Sequence, residues 1–220
     1  MTTGKYDPLR DDARFNALLA ALVEKTPWDD AFWRGHKTYG VYQLLRQALL
    51  VPGDCFEFGC HRGYSASMLA EMIEQTGVDK RIHLFDTFSG MPHSDPEYDN
   101  FYKKGDFADT SLDLIKSTLA PWDKSGRFVY VPGDICETVP NYAAAPACYL
   151  RIDVDLWRPS KAILEAKFDS LNTGGIVYLD DYVGDKTLGE RKAVDDFLAG
   201  RPEKVFYMLG ERAYIIKGTP

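Results

Sequence analysis

A chain of 220 residues, 45% hydrophobic and 27% charged, is long enough for one sizeable α/β domain with its own core. Its formal charge of −7 argues against a nucleic-acid grip, which needs a basic face, and leaves room only for a local basic patch. No run is long and apolar enough to span a membrane, and the start of the chain lacks a signal-peptide core, so the expected setting is cytoplasmic, with no membrane partner. Cys55, Cys60, Cys136 and Cys148 lack zinc-ligand spacing and read as reduced small hydrophobes.

Phe15, Leu18, Leu19, Leu22 and Val23 recur at helical spacing over residues 11–25, and Thr26-Pro27 stops the pattern. A second helix is expected from about Thr38 to Leu50. The aromatic stretch from Trp28 to Tyr39 between them reads either as cover for a ligand or as packing of a helical hairpin. Its apolar character also suits either a dimer surface or core. Residues 1–50 are accordingly read as a helical lid or cap on a main domain of residues 51–220.

Cys55 to Ser67 reads as a buried strand, a glycine turn and the first turn of a helix. Gly59 and Gly63 permit tight backbone geometry where a side chain would block a ligand, and Ser65 is expected to cap the helix. A helix N-terminus at a sheet's carboxyl edge is a socket for a carboxylate or phosphate. A second strand, Arg81 to Asp86, ends in an acid placed to accept hydrogen bonds from ribose hydroxyls. The polar, aromatic stretch from His93 to Thr110 reads as a long loop at the functional edge, a substrate lid, and helix resumes near Ser111.

Arg127 to Val131 forms a third strand, followed by Pro132-Gly133-Asp134, where Asp134 either reaches an adenine amino group or makes an Asx turn. A fourth strand from Ala147 ends in Asp153 and Asp155, two residues apart and so expected on one face. A helix opens at Trp157 with Pro159 in its first turn, and Asn172 to Gly175 is read as its end. Ile176 to Leu179 is a fifth strand ending in Asp180-Asp181. After one more helix, Lys204–Leu209 and Ala213–Lys217 read as a terminal antiparallel hairpin.

Strands alternating with helices predict a doubly wound, mostly parallel α/β sheet whose ligands bind at the carboxyl edge. Asp153, Asp155, Asp180 and Asp181 all fall on that edge. Converging carboxylates repel unless protonated or neutralised, and a hard divalent ion such as magnesium resolves the conflict. Otherwise they are solvated or paired with Arg151, Arg158 or Arg191. A cation there would lower the pKa of a substrate hydroxyl, and a nearby carboxylate could take its proton. With a glycine-turn ligand as group donor, these pieces spell methyl transfer from S-adenosylmethionine to an oxygen.

Cys55–Ser65, Leu84–Pro92, Gly133–Pro140, Leu150–Leu156 and Gly174–Tyr182 together resemble the macrocin O-methyltransferase family, which methylates sugar hydroxyls on antibiotics, over roughly residues 35–200. The resemblance implies a class I methyltransferase, Rossmann-like, with a seven-stranded sheet and N-terminal helices, acting on a small hydroxylated acceptor such as a sugar or glycoside. It places Glu57, Gly59, Gly63 and Ser65 in the S-adenosylmethionine site, Asp86 at the ribose and Asp134 near the adenine. It makes Asp153, Asp180 and Asp181 magnesium ligands and Asp155 the general base, with Asp153 and Asp155 the catalytic pair. Arg191 fits a family block without an assigned role, and His61 stands where the family usually has a large aromatic. Catechol-type enzymes usually show Asp followed by Asp-Asn, whereas Tyr182 follows Asp180-Asp181 here. His36, His61 and His93 are rival bases. A nicotinamide enzyme is disfavoured by His61 within the glycine turn, and a non-catalytic module by the intact acids.

Overall fold

The computed structural model describes residues 7–123, 126–143, 145–208, 210 and 212–218. Leu209 and Glu211 of the expected hairpin, and the start of the chain up to Tyr6, lie outside the described residues. Seven strands, β1 (Asp54–Phe58), β2 (Ile82–Asp86), β3 (Phe128–Pro132), β4 (Ala147–Ile152), β5 (Leu171–Leu179), β6 (Val205–Tyr207) and β7 (Ala213–Ile216), form one sheet in the order β3-β2-β1-β4-β5-β7-β6. The first five are parallel, and β7 runs antiparallel to both β5 and β6. The order reverses between β1 and β4, so their carboxyl ends open a crevice.

The helices are α1 (Pro8–Asp11), α2 (Ala13–Lys25), α3 (Asp30–Trp33), α4 (His36–Ala48), α5 (Tyr64–Thr76), α6 (Leu112–Leu119), α7 (Ile135–Asn141), α8 (Trp157–Lys167) and α9 (Leu188–Leu198). Alternation along the strands sorts them into two layers. On one face Leu18, Leu45, Leu69 and Ile73 from α2, α4 and α5 pack with Ile82, Leu84 and Tyr149. On the other Val139, Ile163 and Val194 from α7, α8 and α9 pack with Phe56, Phe58, Leu150 and Val177. Residues of α2 and α4 therefore share the core of the sheet. Among the described residues no helix is long and apolar enough to cross a membrane.

Several expectations shift for local reasons. The first helix is broken at Asp12, whose carboxylate accepts from the N–H groups of Arg14 and Phe15 and restarts it as α2. In the aromatic stretch, Trp33 is fully buried and stacks on Tyr64 with ring centroids 4.4 Å apart, the hairpin-packing reading. Helix α7 lies where only turns were expected, with Pro132 three residues before it and Pro140 inside its last turn. Asn172–Gly175 does not end a helix: α8 stops at Lys167, a 3₁₀ turn follows, and these residues open β5. Strand β4 ends at Ile152, so Asp153 and Asp155 stand beyond it, and Asp155 turns into the left-handed region at φ 60°. The two-residue alternation does not set their directions.

Candidate functional site

The turn after β1 is shaped by backbone crowding. Gly59 has φ 83°, and a Cβ there would lie 1.8 Å from the carbonyl oxygen of Asp153. Glycine is required because the end of β4 occupies that space, in place of the expected ligand approach. Gly63, at φ 85°, is the N-cap of α5, and a Cβ there would meet only the side chains of Ile115 and Thr118, at 3.4 Å or more. Ser65 does not cap the helix. It lies inside α5 and donates its hydroxyl to Glu57. Glu57 is 1% exposed, its Oε1 lies 3.7 Å from Arg151 Nη1, and its Oε2 has no partner. Burial pushes this carboxyl up to about 7, against the pull of Arg151 and Ser65.

Asp86 ties the crevice together. Its Oδ2 accepts from the backbone N–H of Cys60 (2.7 Å) and His61 (3.1 Å), and its Oδ1 from that of Phe88 (2.7 Å). Asp134 does two things at once: Oδ1 accepts from the Cys136 N–H at 2.9 Å, capping α7, while Oδ2 faces His93 Nε2 at 3.1 Å.

The acids after β4 and β5 converge. Asp153, Asp180 and Asp181 each offer a carboxylate oxygen within 4.8 Å of the others. Arg151 reaches Asp153 at 2.5 Å and Asp180 at 3.3 Å, and Lys37 from α4 reaches Asp180 at 2.9 Å. Arg212 lies 3.5 Å from Asp180. Burial opposes ionisation of Asp180, yet these three cations hold it down at about 2. Asp181 has no such help: its Oδ2 is buried without a partner, and burial with the neighbouring Asp153 and Glu190 pushes it up to about 11. Burial, then Asp153 and Asp180, lift Asp155 to about 8. Glu190 on α9 is fully buried, accepts from the Asp181 N–H at 3.3 Å and has an unpartnered Oε2.

Six acids (Glu57, Asp153, Asp155, Asp180, Asp181, Glu190) thus gather around three cations (Lys37, Arg151, Arg212). That excess, an all-oxygen donor set and the orphaned Asp181 oxygen fit a hard divalent ion. The other arginines are engaged elsewhere. Arg158 pairs with Asp95 at 3.0 Å, and Arg191 donates to the carbonyls of Tyr182 (2.8 Å) and Val183 (2.7 Å), fixing the turn after the acids.

A cavity of about 340 Å³ joins these features, at the small end of the range for ligand pockets. Gly59, Asp86, Asp134, Asp153, Asp155, Asp180 and Asp181 line it; Glu57, Gly63 and Ser65 do not. The long loop after β2 supplies His93, Tyr102, Phe107 and Thr110, and residues 28–39 supply Lys37 alone among the described residues. His61, Phe107 and Asp155, three of the four non-glycine residues with positive φ among those described, are lining residues, the clustering of backbone strain expected at a functional site. Of the rival bases, His61 pairs with Asp109 at 2.7 Å, His93 faces Asp134, and His36 is exposed outside the cavity. Sequence reasoning missed Lys37, Arg212 and Glu190. Glu190 alone carried a signal, as the neighbour of Arg191 in a block already singled out.

The model of the macrocin-O-methyltransferase (TylF) family matches residues 42–204. An 8-demethyl-8-(2,3-dimethoxy-alpha-L-rhamnosyl)-tetracenomycin-C 4'-O-methyltransferase of Streptomyces olivaceus is 27% identical over 157 residues, 67% of this chain. The chain spans 58% of the length of that relative. Among solved structures, the O-methyltransferase NovP superposes with a TM-score of 0.76 at 18% identity, covering 94% of this chain and 99% of that one, a likeness of fold. A TDP-rhamnose 3'-O-methyltransferase of calicheamicin biosynthesis gives a TM-score of 0.65 at 26% identity over 98% of this chain and 97% of that one.

Proposed function

The chain belongs to the macrocin-O-methyltransferase family, and from that premise we propose that it moves a methyl group from S-adenosylmethionine to a sugar hydroxyl, with a magnesium ion held by Asp153, Asp180 and Asp181. The acceptor class follows the relatives whose names include a rhamnosyl group or TDP-rhamnose: a deoxysugar, either free as a nucleotide sugar or already attached to a natural product. The observation that carries the reading is the buried, unpartnered Asp181 oxygen in a carboxylate cluster at the sheet's switch point, beside the glycine turn. The four free cysteines agree with a reducing, cytoplasmic setting.

The donor supplies an electrophilic methyl on sulfur, and the ion would lower the pKa of a hydroxyl it touches. The chain does the rest. Asp86 accepts the ribose hydroxyls while its backbone bonds keep the Cys60–His61 turn in place. Glu57 and Ser65 support that turn from behind, and Asp134 lines the adenine end. Asp155 takes the proton from the reacting hydroxyl, its carboxyl held in the cavity by the left-handed backbone that turns it away from β4. The loop from His93 to Thr110 covers the cavity and excludes water, and orientation supplies much of the rate.

Methyl transfer assayed on nucleotide-linked deoxysugars, deoxysugar glycosides and catechols tests the reading, together with calorimetric titration of S-adenosylhomocysteine. Asp180→Asn is expected to abolish turnover and leave S-adenosylhomocysteine affinity within about threefold, whereas Asp86→Ala weakens that affinity by about tenfold or more. Two variants indistinguishable from the parent, or methylation of catechols alone, overturn it.

A further inference from the structure

A second cluster of metal-ligating side chains lies at the other end of the same cavity. A ring nitrogen of His93, an Asp134 carboxylate oxygen and Cys136 Sγ all fall within 4.8 Å of one another. They come from the loop after β2, the cap of α7 and its first turn. Helix α7 follows β3 and the acids follow β4 and β5, so three to four strand spacings, about 14–19 Å, separate the two clusters. The donor chemistry differs as well: one imidazole, one carboxylate and one thiol suit a borderline-soft ion of the zinc class, where the all-carboxylate cluster suits magnesium.

We propose that His93, Asp134 and Cys136 form a zinc-class cation site that shares Asp134 with the adenine end of the donor pocket. His93 Nε2 and Asp134 Oδ2 already stand 3.1 Å apart, close to the edge of about 3.3 Å between two ligands of a tetrahedral zinc. With every ligand atom within 4.8 Å of the others, reaching tetrahedral spacing requires a closure of no more than about 1 Å. Asp134 is oriented by its other oxygen, which accepts the Cys136 N–H at 2.9 Å. All three side chains are half-buried, and His93 and Asp134 line the cavity, which leaves the fourth ligand position for water. On binding, the Cys136 thiol gives its proton to solvent and the imidazole binds neutral. The ion cross-links the long loop to α7 and takes up the Asp134 oxygen not used in capping α7, and with Asp134 placed at the adenine end metal and donor exclude each other. That exclusion rests on the assignment of Asp134 to the donor site; the metal binding does not.

Cobalt(II) titration of the whole protein is expected to give a thiolate-to-cobalt charge-transfer band, which zinc(II) added afterwards bleaches. Cys136→Ser is expected to remove the band, His93→Ala to weaken binding by about tenfold or more, and Asp181→Asn to leave the band intact. A band that survives in Cys136→Ser, or that Asp181→Asn removes, overturns the site. Zinc-saturated protein is expected to bind S-adenosylhomocysteine at least about tenfold more weakly than after chelation. Equal affinity in the two states overturns the shared Asp134, whereas no S-adenosylhomocysteine binding in either state overturns the methyltransferase reading and leaves the cobalt result to decide the site.

Discussion

Glu57 shows how one side chain links the stability of the sheet to pH. It lies on β1 with its carboxyl fully enclosed, supported by the Ser65 hydroxyl and by Arg151 at 3.7 Å. Burial raises it from 4.5 to about 7, so between those values the folded chain holds a proton that the unfolded chain has released. Stability from this group is therefore complete below pH 4.5 and lost as pH rises toward 7. A shift of that size corresponds to about 3 kcal/mol. Glu57→Gln keeps the shape and cannot ionise. In chelator, its advantage over the parent in urea denaturation should grow from pH 5 to pH 7 and level off above, by roughly 1–3 kcal/mol in all. Parallel stability curves would show that Arg151 keeps Glu57 charged throughout.

At the scale of elements, the long loop between β2 and α6 is bound down by its neighbours. Asp99 Oδ1 accepts from the Trp157 N–H at 2.9 Å, at the first residue of α8, whose N-cap Leu156 has no capping side chain of its own. Asp99 Oδ2 meanwhile accepts the Asp95 N–H at 2.8 Å, and the Tyr98 ring packs on Trp157 with centroids 4.5 Å apart. Gly189 on α9 makes this docking possible, because a Cβ there would lie 2.1 Å from Asp99 Oδ1 and 2.7 Å from the Trp157 nitrogen. Asp99→Ala removes a helix cap and should cost about 0.5–2 kcal/mol. It should also speed hydrogen exchange in the loop without changing exchange in β1 or β4. Gly189→Ala should do the same by expelling Asp99 and should cost more, because its Cβ also meets the Trp157 backbone, and the double variant should be little worse than Gly189→Ala alone. Additive losses would mean that Gly189 serves α9 alone.

These contacts also mark where sequence reading stops. Most strands and the terminal acids were legible because short apolar runs that end in Asp have few other readings, and the terminal hairpin because two short strand patterns flank a turn. Helix α7 was missed because seven residues with Pro140 among them are too short to show a helical period. Gly174-Gly175 read as a breaker, yet it belongs to an irregular start of β5, with Gly174 at φ 81° and a register shift against β4. Ser65 was expected as a cap because serine so often is one; its hydroxyl is claimed by Glu57, eight residues back on β1. Lys37 reaches Asp180 from α4 across 143 residues and Arg212 from the turn before β7, and no local pattern announces either contact; Glu190 on α9 is announced only by standing next to Arg191.

The whole molecule carries its net charge of −7 unevenly, with a surplus of carboxylates concentrated at the crevice where the strand order turns. Lys37, Arg151 and Arg212 compensate Asp180 and Asp153, but Asp181 is left with a buried oxygen that meets no donor. The fold therefore sustains a cost in its metal-free state that a bound cation would relieve. Asp181→Asn removes that cost together with a proposed ligand, so its two effects on stability oppose each other. In chelator the variant should melt above the parent, by about 2–4 °C for each kcal/mol recovered in a chain of this size. With magnesium at a hundred times its dissociation constant, the parent should gain about 2.7 kcal/mol and overtake a variant that barely responds. Differential scanning calorimetry of the two proteins, with and without magnesium, reads this crossing directly. A parent insensitive to magnesium, or a variant less stable than the parent in chelator, would mean that Arg151 and Lys37 already balance the acids and that the crevice was built without an ion in it.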